Sequence, residues 1–215
     1  IKMQNDSIYL NYLKYVNEHR KNVKKAGEYW KKRLGEQFGL INAPAHSEAR
    51  HEYTRIKNNI DEMVEIHDIS KYSKEEFVPY ADWFMGKYGK DWKKDENLSD
   101  EDNKKAEEIH KKKKEAFEKA WQHHYRENWH HWNHFCYGWA EYPFNKNDSR
   151  KLQTPVPMPS RRIVEMVIDW TAMGYKFGNT AEEYYEKNKK NIELHPRTRA
   201  ELESLLNGSQ KYWVK

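Results

Sequence analysis

The sequence predicts an all-α protein, folded as a single helical bundle over residues 1–215. Three observations carry that expectation. Helix-start signals recur along the chain, and apolar residues return at spacings of three and four. No stretch alternates apolar and polar residues as a half-buried strand would, and no internal repeat is present. A length of 215 residues suits one domain with a sizeable core, and 14% aromatic residues, nine Trp and fifteen Tyr among them, argue against disorder.

The elements follow in order. Asp6 or Ser7 can cap a first helix reaching about Gly35, in which Tyr12, Val16, His19, Val23, Ala26 and Trp30 share one face. Gly39 to Pro44 reads as a loop. Ser47 starts a second helix, which ends near Lys71 and points Ile56, Ile60, Met63, Val64 and His67 broadly one way. Ser73-Lys-Glu-Glu76 is a capping box that opens the next helix. Gly86 to Asn97 is polar and lysine-rich, so a mobile connection is expected there. Ser99-Asp-Glu-Asp102 starts a long helix through about His134, whose lysine run from Lys111 to Lys114 is a solvated face. Phe144 to Pro159 is the clearest long loop. Ser160 caps a helix to about Gly174, Thr180-Ala-Glu-Glu183 opens another, and Thr198-Arg-Ala-Glu201 opens a last one ended by Asn207-Gly208.

Charge and cysteine content remove several function classes. The net charge of +5 suits an anionic substrate and is too small to favour nucleic acid. Cys136 is the only cysteine, which excludes an intrachain disulfide and a thiol redox pair and fits a reducing cytoplasm. No apolar run approaches the length of a membrane span, and the start shows no signal-peptide pattern. No glycine loop is built to cradle phosphates.

The polar residues on apolar faces point to a metal. In Glu65-Ile-His-Asp-Ile-Ser-Lys71, an imidazole and a carboxylate stand side by side between isoleucines, and such a pair can serve one divalent ion or bridge two. His19 lies in the apolar stripe of the first helix. Five histidines, His123, His124, His130, His131 and His134, fall within twelve residues and are boxed by tryptophans. On a continuous helix His124 and His131 share the face of Phe117 and Trp121, whereas His123 and His130 join Glu127 on the adjacent one. Glu165 and Asp169 are four apart in a hydrophobic stretch, where a carboxylate is costly unless paired or bound to a cation. Arg161 and Arg162, one turn earlier, offer a plain salt bridge instead.

The order His19, His67-Asp68, His124 and His131, Asp169 resembles the HD-domain superfamily of metal-dependent phosphohydrolases. The resemblance matches His19, His67-Asp68 and Asp169 to that family's histidine, doublet and final aspartate. His-Asp-Ile-Ser-Lys is similar to the His-Asp-x-x-Lys form of binuclear members, and His124 and His131 match the extra histidines by order alone. The chain also resembles an uncharacterised helical family of phages and Gram-positive bacteria marked by His-Asp-x-Ser-Lys, Trp-x-x-His-x-x-x-Asn-x-His-His-Trp and Glu-Met-x-x-Asp-Trp. The HD resemblance implies an HD-like bundle holding one or two divalent ions, with Mn, Fe, Mg, Zn, Co and Ni all open. It implies a phosphohydrolase that uses metal-activated water on a phosphoester, most simply of a nucleotide. His19, His67, Asp68, His124, His131 and Asp169 would hold the metal. Asp68 would bridge and orient, Lys71 would neutralise transition-state charge, and Glu165 would support a ligating histidine or accept a proton. Arg197 and Arg199 could clamp phosphate or simply solvate a helix start. Two other readings stay open: a di-iron oxygenase with the same ligand order, and a non-enzymatic protein that grips nucleic acid with lysines and aromatics.

Overall fold

The computed structural model describes residues 2–39, 48–137 and 154–208. The chain is all-α. Its elements are α1 (Lys2–Gly39), α2 (Glu48–Asn58), α3 (Ile60–Ile66), α4 (Phe77–Met85), α5 (Asp100–Glu127), α6 (Ser160–Phe177), α7 (Ala181–Asn188) and α8 (Pro196–Asn207). Short 3-10 turns occupy Ile69–Tyr72, Trp132–Phe135 and Lys189–Asn191. One two-residue antiparallel pairing, Cys136 against Pro155 and Tyr137 against Thr154, is the strand content of the described residues. α1 runs to Gly39, past the end expected near Gly35; residues 40–44 of the expected loop, the start at Ser47 and most of the loop from Phe144 lie outside the described residues.

The chain divides into two compact units. The first takes the chain up to Glu18 together with Asp68–Glu127, and the second takes His19–His67 with 128–137 and 154–208. Each has its own apolar cluster, where the residue pattern predicts a single core.

The first unit packs α4 and α5 around aromatic rings. Tyr12, Val16, Tyr80, Ala81, Phe117 and Ala120 are buried together. Tyr80 meets Phe117 edge-on at 5.2 Å between centroids, and Trp83 stacks on Phe117 at 5.4 Å. Such pairs add about 0.5–1.5 kcal/mol each beyond the area they bury. The polar connection after α4 is tied down rather than loose. Buried Asn103 accepts from the Asp95 amide at 3.0 Å and donates to its carbonyl at 2.9 Å. His110 lies 3.2 and 3.1 Å from the carbonyls of Tyr88 and Gly89. Lysine-rich composition predicts mobility; these side-chain bonds from α5 override it.

The second unit is organised around α6. Ile163, Val164, Met166, Val167, Ile168 and Trp170 are all buried, so the helix is apolar over most of its circumference. Burying each such side chain stabilises the fold by about 1.5–3 kcal/mol. The helix runs past Gly174 and ends at Gly178, whose φ of 74° is the left-handed conformation that glycine adopts without a Cβ penalty. Gly27 lets α1 and α3 come close: a Cβ there would stand 2.8 Å from Val64 Cγ1 and 3.2 Å from Ile60 Cγ2. That approach brings the helix carrying His19 against the one that ends at His67.

Of the capping boxes read from sequence, Thr180–Glu183 is present in full, and Ser99 accepts from the Asp102 amide at 3.1 Å. The last one is not. His195 caps α8 by accepting from the Arg197 amide, with Pro196 at the first helical position. Thr198 instead accepts from the Met158 amide at 2.9 Å, and Glu201 is buried and accepts from the Tyr53 hydroxyl. Burial pushes the Glu201 carboxyl upward against the hydrogen bonds from Ser160 and Tyr53, leaving it above its ordinary range. A carboxyl raised in this way contributes stability that is present below its unfolded value, about 4.3, and lost as the pH rises through its folded value. Glu201→Gln has no such loss. Its melting temperature relative to the parent protein is therefore expected to be more favourable at pH 7 than at pH 4. A difference that does not move with pH would contradict the assignment.

Candidate metal centre

In the second unit, four separate segments deliver side chains to one buried polar cluster. His19 comes from α1, His67 from the residue that closes α3, His130 from the turn after α5, and Glu165 with Asp169 from successive turns of α6. His67 and His130 are each 1% exposed and His19 and Glu165 each 4%, while the Asp169 side chain keeps 14%. His19 Nε2 stands 3.3 Å from Asp169 Oδ1, and His67 Nε2 stands 3.6 Å from the same oxygen. On the other edge of its ring, His67 Nδ1 faces Glu165 Oε1 at 3.4 Å, and His130 Nδ1 faces it at 3.5 Å. The rings of His67 and His130 overlap at 4.2 Å between centroids. Arg162 donates to the second oxygen of Glu165 at 2.6 Å, so the salt bridge anticipated from sequence is present alongside the histidine contacts.

Burial works against ionised Glu165, yet the hydrogen bonds and charges of His130 and His67 outweigh it and hold the carboxyl far below the usual range. Asp169 is likewise opposed by burial and held low by His67 and His19.

These donors are grouped closely enough to hold a metal ion. The atoms offered by His19, His67 and Asp169 lie within 4.8 Å of one another, and so do those of His67, His130 and Glu165. A charge-assisted hydrogen bond between imidazole and carboxylate would close to about 2.7–2.9 Å. Four ligands placed ~2.1 Å from a tetrahedral ion would instead be separated by roughly 3.4 Å. All four imidazole–carboxylate separations of the cluster, 3.3 and 3.6 Å at Asp169 and 3.4 and 3.5 Å at Glu165, lie near the second spacing.

The first unit holds a second buried polar cluster. Asp68 is the one described non-glycine residue with positive φ, at 54°. That conformation costs a Cβ-bearing residue roughly 1–2 kcal/mol, and Asp visits it more readily than most. It lets the chain turn sharply after His67 into the 3-10 turn. Asp68 Oδ2 accepts from the Lys71 ammonium at 2.5 Å, and Oδ1 stands 3.4 Å from His124 Nε2. Lys71 thus pairs with Asp68. His124 and its neighbour His123 both reach Glu76, each at 2.8 Å.

The other residues singled out by sequence stand as follows. The long helix expected to reach His134 stops at Glu127, so His124 and His131 do not share a helical face. Asn128 is buried where the helix ends, and Asn, His and Trp are weak helix formers, Asn because its side chain competes for nearby backbone groups. His131 is half-buried, its ring 4.1 Å from that of His130. Arg199 donates to the Tyr185 hydroxyl at 2.8 Å and the Ile192 carbonyl at 2.7 Å, and so ties α8 to α7. Arg197 is exposed in the first turn of α8. Sequence reasoning missed Glu76, which it placed in a capping box. α4 starts only at Phe77 and takes no side-chain cap from Glu76. The signal that could have found it is weak: a carboxylate beside Phe77, in a stretch otherwise read as a helix start.

Among the described residues no helix is long and apolar enough to cross a membrane. The chain belongs to a family of unknown function, DUF5662, whose model matches residues 9–208. Searches of curated proteins and of solved structures find no match.

Proposed function

For this member of that family we propose a metal-dependent phosphohydrolase that cleaves a phosphoester, in the first instance that of a nucleotide. The observation that carries the metal is the pair of separations around Asp169 Oδ1, 3.3 Å to the buried His19 and 3.6 Å to the buried His67. His19, His67 and Asp169 are the holding residues of the second unit, and Asp68 and His124 offer a donor pair in the first. A divalent ion held by these residues would supply Lewis acidity toward a phosphoryl oxygen and toward water.

The protein's own side chains do the positioning. Glu165 faces the Nδ1 edge of His67 at 3.4 Å and Asp169 faces its Nε2 edge at 3.6 Å, so one edge of the ring can turn to a cation while the other stays on a carboxylate. Arg162 in turn fixes Glu165. Lys71 carries positive charge beside Asp68 and can offset charge that builds on a transferring phosphoryl group. The HD resemblance of His67-Asp68 and Asp169 supports phosphoryl chemistry, and the pI of about 8.9 suits an anionic substrate.

The test is a panel of phosphomonoesters, phosphodiesters and nucleotides offered to metal-stripped protein reloaded with Mn2+, Co2+, Zn2+ or Fe2+. Hydrolysis that requires the added ion is expected. Oxygen consumption by the iron-loaded protein without hydrolysis of any ester would replace this reading with the oxygenase.

A further inference from the structure

We propose that Glu76 is a positioning residue: its buried carboxylate holds His123 and His124 by their Nδ1 atoms and so commits the Nε2 lone pair of His124 to a cation. The inference rests on the metal-binding reading above and concerns only side chains of the first unit.

Glu76 is 0% exposed and stands just ahead of α4. Two consecutive histidines near the end of α5 share it, one per oxygen: His123 Nδ1 at 2.8 Å from Oε1 and His124 Nδ1 at 2.8 Å from Oε2. These are the distances of charge-assisted hydrogen bonds in which imidazole N–H donates. The opposite edge of His124 differs. Its Nε2 stands 3.4 Å from Asp68 Oδ1, the wider spacing found around Asp169. One ring thus shows a hydrogen bond at Nδ1 and a ligand-like separation at Nε2. A neutral imidazole has a single N–H, so donation at Nδ1 leaves the lone pair on Nε2.

Each oxygen of the buried Glu76 carboxylate is taken by one imidazole, so its burial is compensated on both sides. The carboxylate is then a fixed acceptor for both rings. Its cost of burial is met by partners that themselves have a use. Tyr80 packs edge-on against His124 at 6.0 Å and Trp121 stacks on it at 5.9 Å, so the ring is held from its faces as well as from Nδ1.

A purely structural Glu76, joining α4 to α5, would affect melting temperature without affecting which nitrogen binds metal. The experiment therefore reads the nitrogen. Long-range proton–nitrogen spectra of the 15N-labelled wild type are recorded while Zn2+ is added, and Zn2+ affinity is measured for wild type, Glu76→Gln and Glu76→Asp. His124 is expected to keep its proton on Nδ1 and to shift at Nε2 as Zn2+ binds. Glu76→Gln, which sets an NH2 donor where one of the two carboxylate oxygens accepts from a ring, is expected to bind Zn2+ ~10–100-fold more weakly. Glu76→Asp, which keeps the charge at shorter reach, should fall between. Coordination of His124 through Nδ1, or wild-type affinity in Glu76→Gln, overturns the role of Glu76 and leaves the metal-dependent reading in place. Zn2+ that never binds the wild type removes both. The wild-type spectrum carries the test even where Glu76→Gln does not fold.

Discussion

His67→Ala is expected to yield a helical protein that no longer retains a divalent cation. His67 alone presents one ring edge to Asp169, at 3.6 Å, and the other to Glu165, at 3.4 Å. Its ring also packs against those of His130 and His19, at 4.2 and 5.7 Å. Alanine removes a metal donor and takes one contact each from Glu165, which keeps Arg162 and His130, and from Asp169, which keeps His19. The far-UV circular dichroism should stay helical because the apolar cluster around α6 is untouched, while the melting temperature falls. Metal content of the purified variant, measured beside that of the parent, decides the matter. A variant that keeps stoichiometric metal would refute the assignment of His67.

Lys71→Ala is expected to keep its metal and lose turnover of a phosphoester by ~10²–10³, the scale for removing one electrostatic stabiliser. An ammonium has no lone pair to give, so Lys71 cannot be a ligand. It lies on Asp68 with only 13% of its side chain exposed, and its charge is therefore poorly screened. Lys71→Arg should restore part of the activity, since a planar fork is an imperfect substitute for a point charge. The competing account makes Lys71 a counter-ion for Asp68 and nothing more. It predicts a lowered melting temperature with near-normal turnover per folded molecule, and an active but unstable Lys71→Ala would establish it.

The residues that sequence reading located best are those whose helical phase alone decides their position. His19 shares an apolar stripe with Val16 and Val23, and all three are buried. Glu165 and Asp169 are four apart on α6, so one turn of helix suffices to put both near His67. Phase says which face is buried but not what it is buried against. Tyr12 and Val16 pack with α4 and α5, while Val23 and Trp30 on the same helix pack with α6, and nothing in their periodicity separates the two clusters.

Phase also fails where a helix stops without a proline or glycine to mark it. α5 ends at Glu127, and with it ends any face shared by His124 and His131. His130, which the continuous helix would turn toward Glu127, is instead 1% exposed and packs against the His67 ring at a tilt of 32°. Glu76 and Glu201 show a related ambiguity. Both stand three residues after a Ser or Thr, and both direct their carboxylates to distant partners, His124 and Tyr53, instead of capping a helix. A local signature and a long-range contact compete for one side chain, and burial settles the competition in favour of the contact.

The central claim is that these buried histidines and carboxylates hold a divalent cation. Elemental analysis of wild-type protein purified without chelator, before and after incubation with Mn2+, Zn2+ or Fe2+ and removal of the excess, tests it most directly. One or two tightly held equivalents per chain are the predicted result. Protein that carries no metal as purified, and takes up none of the three ions, would contradict it.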